Sequence, residues 1–327
     1  MRHSICDREM IVRPLVLENK SNNTKTRRRT NIMVDSVVAR TFDSLCDKSP
    51  VLKRLLIRNW FYCLSLLDRE AHMPFMNLGY APLKSVDTLV ELQESDEEHR
   101  YCIQMYHHVA SMVELSGRDV LEVGSGRGGG ASYVKRYLGP RTMVGVDLVP
   151  RAVQFSRARH RVDGLSFVQG DAERLPFGNC SFDAVINVES SYAYGNVDRF
   201  LQEVARVLRP GGYFLFTDYR YQHRIGLLRA QIENCGLNVL SDRCINAEVV
   251  RALDLDHARK ADLIKKKVPQ ALHNVMHYFA ASPGSPIYDE LKAGTVDYHS
   301  WLMQKTPADV SQGTEDAELS KADSLAL

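Results

Sequence analysis

Leu121-Glu122-Val123-Gly124-Ser125-Gly126-Arg127-Gly128 decides how the rest of this chain is read. A short apolar strand carries one acid and runs into a glycine-rich turn. The next apolar run, Met143-Val144-Gly145-Val146, ends on a second acid, Asp147, followed by Leu148. A third acid, Asp171, sits in Gly170-Asp171-Ala172, after Leu165-Ser166-Phe167-Val168. Short apolar runs bounded by turn residues read as buried strands. Three carboxylates at strand ends describe a pocket for a nucleoside that carries no phosphate.

The glycines alone leave two ligands open. Gly124, Gly126 and Gly129 satisfy G-x-G-x-x-G, and Asp147 stands at about the spacing of a ribose-binding acid, as in dinucleotide folds. A pyrophosphate, however, is drawn to backbone N–H groups and the positive end of a helix dipole. S-adenosylmethionine (SAM) has no phosphate and brings a cationic α-ammonium and sulfonium, which an acid such as Glu122 suits. Small residues let the backbone close over its methionine part.

Later segments favour SAM. Val149-Pro150-Arg151-Ala152-Val153 opens a helix that runs to about His160, and Phe182-Asp183-Ala184-Val185-Ile186-Asn187 reads as a fourth strand. Arg206-Val207-Leu208-Arg209-Pro210-Gly211-Gly212 closes a helix and turns into a fifth strand, Tyr213-Phe214-Leu215-Phe216. The ordered set, over roughly residues 99–245, resembles the class I SAM-dependent methyltransferases. That resemblance implies a Rossmann-like α/β sheet with helices on both faces, SAM as cofactor, and methyl transfer. It assigns Tyr106, Glu122, Gly124, Ser125, Gly126 and Gly128 to the methionine end. Asp147, beside Leu148, would accept both ribose hydroxyls. Asp171 would take the adenine amine next to the Ala172 backbone, and Asn187 and Val188 would line the methyl-donor mouth. Taken singly, Asp147 and Asp171 also fit solvated turn residues at strand ends.

A narrower likeness lies in Tyr106-His107, Glu122-Val123, Gly128-Gly129-Gly130-Ala131-Ser132-Tyr133, Gly170-Asp171-Ala172-Glu173, Asn187-Val188-Glu189 and Ile245-Asn246-Ala247-Glu248-Val249. These are similar to segments of the mycobacterial phthiotriol/phenolphthiotriol dimycocerosate methyltransferases and their polyketide-cluster relatives, which O-methylate a hydroxyl on a long lipid or polyketide. The likeness implies a small-molecule hydrophobic acceptor and thins out over the first 75 residues.

Composition agrees with one main core: 327 residues, 44% of them hydrophobic. A net charge of +2 gives no support for a nucleic-acid partner. Residues 1–32 hold eight Lys/Arg against three Asp/Glu and read as a disordered basic segment or as sequence ahead of a start at Met33, with a transit peptide as the other reading. The seven cysteines show no CxxC pair and no zinc spacing. With no secretory apolar region and no run long enough to span a bilayer, they predict free thiols in the cytoplasm and no metal site.

Residues 33–98 are expected to form an N-terminal helical cap. Leu52, Leu55, Leu56, Trp60, Cys63, Leu64 and Leu67 repeat at helical steps. They predict a helix packed over the core, or a basic amphipathic helix in peripheral contact with a membrane. Met73-Pro74-Phe75-Met76-Asn77-Leu78-Gly79-Tyr80 is an apolar, aromatic stretch suited to a lid over the acceptor site. Glu91, Glu94, Asp96, Glu97 and Glu98 read as a solvated acidic face. A helix from His223 to about Asn234 and a sixth strand, Leu237-Asn238-Val239-Leu240, precede a helical acceptor-side insertion and last strand over residues 246–306. His273, Met276, His277, Tyr278 and Phe279 would line the acceptor pocket or pack as core. The polar residues 307–327 read as a disordered tail, and the sequence is silent on oligomeric state.

A hydroxyl acceptor must lose its proton as the methyl arrives, so a base is needed. Relatives often carry His shortly after the position of Glu189. Here Glu189-Ser190-Ser191-Tyr192 puts Tyr192 in that place, and a phenol of ordinary pKa near 10 is a weak base at neutral pH. Glu189, Tyr192, His107, His108 and His223 are the catalytic candidates, with Glu189 first because it adjoins the donor mouth. O-methylation leads. N- or C-methylation of a small molecule comes second, since an amine needs less help from a base. A nicotinamide oxidoreductase and a catalytically silent SAM-fold protein are the remaining readings.

Overall fold

Alternating apolar faces on seven strands organise the chain. The computed structural model describes residues 73–84 and 89–307, without the side chain of Ala271. The basic segment 1–32, the periodic residues 52–67 and the tail from 308 lie outside the described residues. Strands β1 (Asp119–Val123), β2 (Thr142–Asp147), β3 (Leu165–Gln169), β4 (Phe182–Val188), β5 (Leu208–Tyr221), β6 (Leu237–Cys244) and β7 (Val296–Lys305) form one sheet in the order β3-β2-β1-β4-β5-β7-β6. All run parallel except β7, which inserts antiparallel between β5 and β6. The strand order reverses between β1 and β4, so a crevice opens there at the carboxyl edge.

Around the sheet lie α1 (Arg100–Ala110), α2 (Gly129–Leu138), α3 (Pro150–Arg159), α4 (Val197–Val207) and α5 (Gln222–Glu233). An insertion of α6 (Asn246–Lys267), α7 (His273–Phe279) and α8 (Pro286–Ala293) separates β6 from β7. Ordinary end signals fix these helices. Pro150 opens α3, the Ser285 side chain caps α8 by accepting from the Tyr288 amide, and Gly294 ends α8 in the left-handed region. Because β6 runs parallel to β5, the insertion leaves from the carboxyl edge, as the sequence predicts.

Side-chain alternation divides the interior into two cores. Val120, Ala184, Ile186 and Leu215 face Ile103, Met105, Tyr133, Val249 and Leu253. Leu121, Val123, Val185, Phe214 and Phe216 face Phe200, Val204, Ile225 and Leu228. Each fully buried Leu or Phe of this kind contributes on the order of 2 kcal/mol. The same alternation turns Glu122 toward the first core, beneath α1.

Two details depart from the sequence reading. Strand β5 begins at Leu208 rather than Tyr213: Leu208 pairs with Phe182, and the register then shifts before Ala184 pairs with Tyr213. Residues 209–212 therefore form a bulge inside the strand. Strand β6 continues past Leu240 to Cys244, with a register shift between Val239 and Ser241, a feature that blunts an edge strand. Residues 73–84 are irregular, and among the described residues ahead of α1 only Glu94–His99 forms a helix, of 3-10 type. No helix among the described residues is long and apolar enough to cross a membrane.

Candidate active site

The glycine turn is tied down by backbone. The Gly124 and Ser125 amides both donate to the Val146 carbonyl, at 2.8 and 3.0 Å, which pins the turn onto β2. Gly124 has φ +74, and a Cβ there would lie 1.9 Å from Ser190 Oγ. Both the conformation and the space demand glycine.

Asp147, at the end of β2, accepts the Gly126 amide at 2.8 Å and the Val149 amide at 2.8 Å. Burial pushes its carboxyl up to about 6, against the pull of those two amides. Leu148 beside it is exposed. Glu122 is buried and accepts the Tyr106 hydroxyl at 2.7 Å on Oε1. Burial pushes Glu122 up to about 7, while the Tyr106 hydroxyl and the Ala131 amide ease its charge and Asp147 adds to the rise. Its Oε2 is buried with no hydrogen bond of normal geometry. Asn187, at the end of β4, donates to the Val123 carbonyl at 2.8 Å and to the Tyr194 hydroxyl at 3.0 Å, and its Oδ1 is buried without a partner. Val188 is buried next to it. Beyond β3, Asp171 accepts the Glu173 amide at 3.0 Å and bridges to Arg174 around the half-buried Ala172.

The structure thus gathers Glu122, the glycine turn, Asp147 and Asn187 at the carboxyl ends of β1, β2 and β4. Two buried acceptor atoms, Glu122 Oε2 and Asn187 Oδ1, have no hydrogen-bond partner among the described residues. They fit a cationic ammonium. A pyrophosphate in the same crevice would face the Glu122 and Asp147 carboxylates. The residues present therefore fit SAM.

A second cluster flanks this one. Glu189 follows β4 with φ +45, unusual for a residue with a side chain, and its amide donates to the Thr217 carbonyl at 2.9 Å. Its Oε1 accepts the Leu78 amide at 2.7 Å and the Tyr298 hydroxyl. Burial pushes Glu189 up to about 7; Tyr298, Leu78 and Lys260 lower it and Asp218 raises it. Tyr192 stacks on Tyr219 at 5.2 Å, and Tyr219 meets Tyr298 at 5.9 Å. Burial drives the Tyr192 phenol far above its ordinary range. Buried Asp218 holds the turn: Ser191 Oγ and the Tyr192 amide donate to its Oδ2 at 2.6 and 2.9 Å, and Arg220 stands 3.2 Å away.

The histidine candidates make their contacts elsewhere. His107 pairs with the Tyr133 hydroxyl at 2.8 Å. His108 stacks on Tyr80 at 4.2 Å and contacts Ser300 Oγ at 3.1 Å, and burial pushes its ring down to about 4. His223 is exposed and stacks on Tyr221 at 5.8 Å. In the insertion, His273 contacts the Val268 carbonyl, His277 contacts Ser282 Oγ, Met276 is buried, and Phe279 is exposed against Tyr278.

Residues 73–81 reach both clusters, not the acceptor side alone. The Pro74 carbonyl accepts the Gly129 amide at 3.3 Å, and Met76 Cε lies 2.5 Å from where a Gly126 Cβ would be. Asn77 donates to the Cys102 carbonyl of α1 at 3.2 Å. The Ala81 amide donates to the Glu248 carbonyl of α6 at 3.1 Å, and Lys260 of α6 donates to the Leu78 carbonyl at 3.3 Å. Sequence reading placed Leu78 in a lid over the acceptor site but did not single out Asp218, Tyr219 or Tyr298. The fully buried polar pair Thr217-Asp218 inside an apolar strand was the one available signal. Tyr219 and Tyr298 meet only through the antiparallel register of β5 on β7.

Comparison with known proteins agrees with this geometry. The family described as "Methyltransferase domain" matches residues 121–216. The chain is 43% identical over 237 residues to a fatty-acid O-methyltransferase of Mycolicibacterium smegmatis, covering 72% of this chain and 85% of that protein. It is 39% identical over 251 residues to a phthiotriol/phenolphthiotriol dimycocerosates methyltransferase of Mycobacterium tuberculosis, covering 76% and 92%. Among solved structures, the cyclase SpnF superposes with a TM-score of 0.58 at 20% identity, covering 78% of this chain and 97% of that one. That last likeness concerns the fold alone.

Proposed function

This chain belongs to the class I SAM-dependent methyltransferases, related to mycobacterial lipid methyltransferases, and on that premise we propose that it O-methylates a hydroxyl of an apolar small molecule, a lipid or polyketide. The observation that carries the reading is Glu189, a carboxyl held near neutral pKa beside the donor mouth and under a wall of tyrosines. When bound, SAM supplies a methyl group already activated on its sulfonium. Glu122 Oε2 and Asn187 Oδ1 would hold its ammonium, Asp147 its ribose, and Asp171 with Ala172 its adenine, flanked by Leu148. Glu189 would take the acceptor proton, a task suited to a base that titrates near the working pH. Tyr192, Tyr219 and Tyr298 would contact the apolar body of the acceptor. The lipid names of the two curated relatives support an apolar acceptor. A hydroxyl suits Glu189 better than a fatty acid does, because an ionised acceptor carboxylate needs no base and would face a second carboxylate.

The test is incubation of the purified chain with isotope-labelled SAM and, separately, long-chain alcohols, alkylphenols, fatty acids and amines, with mass spectrometry of the products. A labelled methyl ether from an alcohol or phenol is the expected result. Product from amines alone, or a methyl found on carbon, would overturn O-methylation. Methyl esters alone would keep the oxygen acceptor and replace the hydroxyl by a carboxylate.

A further inference from the structure

We propose that Tyr298 and the Leu78 amide are positioning groups for Glu189, and that together they make it a competent base only when residues 73–81 are seated. The inference rests on the methyl-transfer reading above and adds to it a residue from the far end of the chain and a backbone donor from its beginning.

Three separate elements converge on one carboxyl oxygen. Glu189 comes from the turn after β4, Tyr298 from β7, and Leu78 from the segment before α1. Among the described residues, both donors land on Oε1. Neither donor takes Oε2, and that is the oxygen we assign to the acceptor. The acceptor proton passes to Oε2, while the O–H electron pair stays on the acceptor oxygen. Two donors on one oxygen fix the rotation of the carboxyl and favour its ionised form. The backbone at φ +45 restricts where the side chain points.

The electrostatic surroundings make these donors matter. Asp218 of β5 disfavours charge on Glu189, and Lys260 of α6 favours it. The other titratable groups around it are Tyr192, Tyr219, Tyr106 and Cys102, each pushed up by burial and so neutral at working pH. Lys260 is itself engaged, 3.7 Å from Asp256 and 3.3 Å from the Leu78 carbonyl. Arg220 stands 3.2 Å from Asp218 and partly offsets it, and Lys260 acts on Glu189 less than either donor, so after burial the two hydrogen bonds are the largest influences on this carboxyl. Leu78 is bound on both sides, its amide to Glu189 and its carbonyl to Lys260. Lifting the segment removes one donor from the base and one partner from Lys260.

The experiment is an infrared titration of the protonated Glu189 carboxyl in the full chain, its band assigned by its loss in Glu189→Gln. The wild-type midpoint is expected at about 7. Tyr298→Phe keeps the ring and removes the hydroxyl. It is expected to raise the midpoint by about one pH unit, a tenfold change in proton affinity. The acidic limb of methyl transfer from labelled SAM to 1-decanol should move by the same amount. Leu78→Pro removes the amide hydrogen and should act in the same direction, and it supplies the reading if Tyr298→Phe does not fold. A midpoint unmoved in a folded variant overturns the proposal, even if alcohols are methylated. A moved midpoint with no alcohol or phenol methylated leaves the positioning intact and removes the hydroxyl reading instead.

Discussion

The two halves of the crevice share one edge of one sheet yet are built on different plans. The cofactor half is local. Glu122 lies near the end of β1 with Gly124 and Gly126 in the turn that follows, and Asp147 and Asn187 lie at the ends of the strands beside it, with backbone amides doing most of the holding. The proposed acceptor half is assembled from afar: Leu78 reaches Glu189 from the segment before α1, and Tyr298 joins Tyr219 because β7 inserts antiparallel beside β5. A site made of strand-end motifs keeps its identity while the acceptor half is free to change with insertions and loops. The difference predicts that the halves fail separately.

The largest separation should appear in Glu189→Gln. Turnover is expected to fall about 10²- to 10⁴-fold, with affinity for S-adenosylhomocysteine changed less than about twofold. A parallel loss of cofactor binding would break the division between the halves. Gly124→Ala is the converse. Its added Cβ would lie 1.9 Å from Ser190 Oγ at φ +74, so calorimetry should show cofactor affinity reduced about 10- to 100-fold. Retained affinity would mean that the turn is not a rigid cradle.

Solution pH sharpens the same contrast. A cationic ligand selects the ionised form of Glu122, whose pKa is about 7. Affinity for S-adenosylhomocysteine should therefore weaken about 5- to 10-fold from pH 7.5 to pH 6. A flat profile would remove Glu122 from the ammonium site. The same group acts on folding with the opposite preference. Its folded pKa of about 7 lies above the ordinary 4.5, so the ligand-free native state binds more protons than the unfolded chain between those values. Stability is fully present below that window and is lost as pH rises through it. Glu122→Gln should accordingly stabilise the ligand-free protein at pH 8 by about 1–3 kcal/mol in urea denaturation while abolishing cofactor binding. The smallest effect is assigned to His223→Ala, at an exposed position outside both halves, where turnover should change less than about twofold.

How legible each half was in the sequence follows from the same division. Glu122, Asp147 and Asn187 stand in short strand-turn patterns, and adjacency to one of them is what puts Glu189 first among the proposed bases. Tyr298 belongs to the buried run 298–301 of β7 and reads as core, because nothing local says that β7 lies against β5. His107 and His223 were chosen for residue type, but placement depends on which face of α1 packs on α2 and where the chain leaves the sheet. The start of β5 was misplaced because Pro210-Gly211-Gly212 reads as a stop, whereas here it is a bulge with pairing on both sides.

Strand β7 also sets an order of assembly. During synthesis, β1 to β5 emerge first, and with them every ligand of the cofactor half. Among the described residues, strand β6 pairs only with β7, and β5 keeps an open edge until β7 arrives. An emerging or truncated chain therefore carries an early pocket beside an unpaired strand edge, the kind of surface that recruits foreign strands. Docking of β7 closes the sheet and brings Tyr298 to Glu189 in one event, so the sheet edge and the hydrogen bond on the proposed base form together.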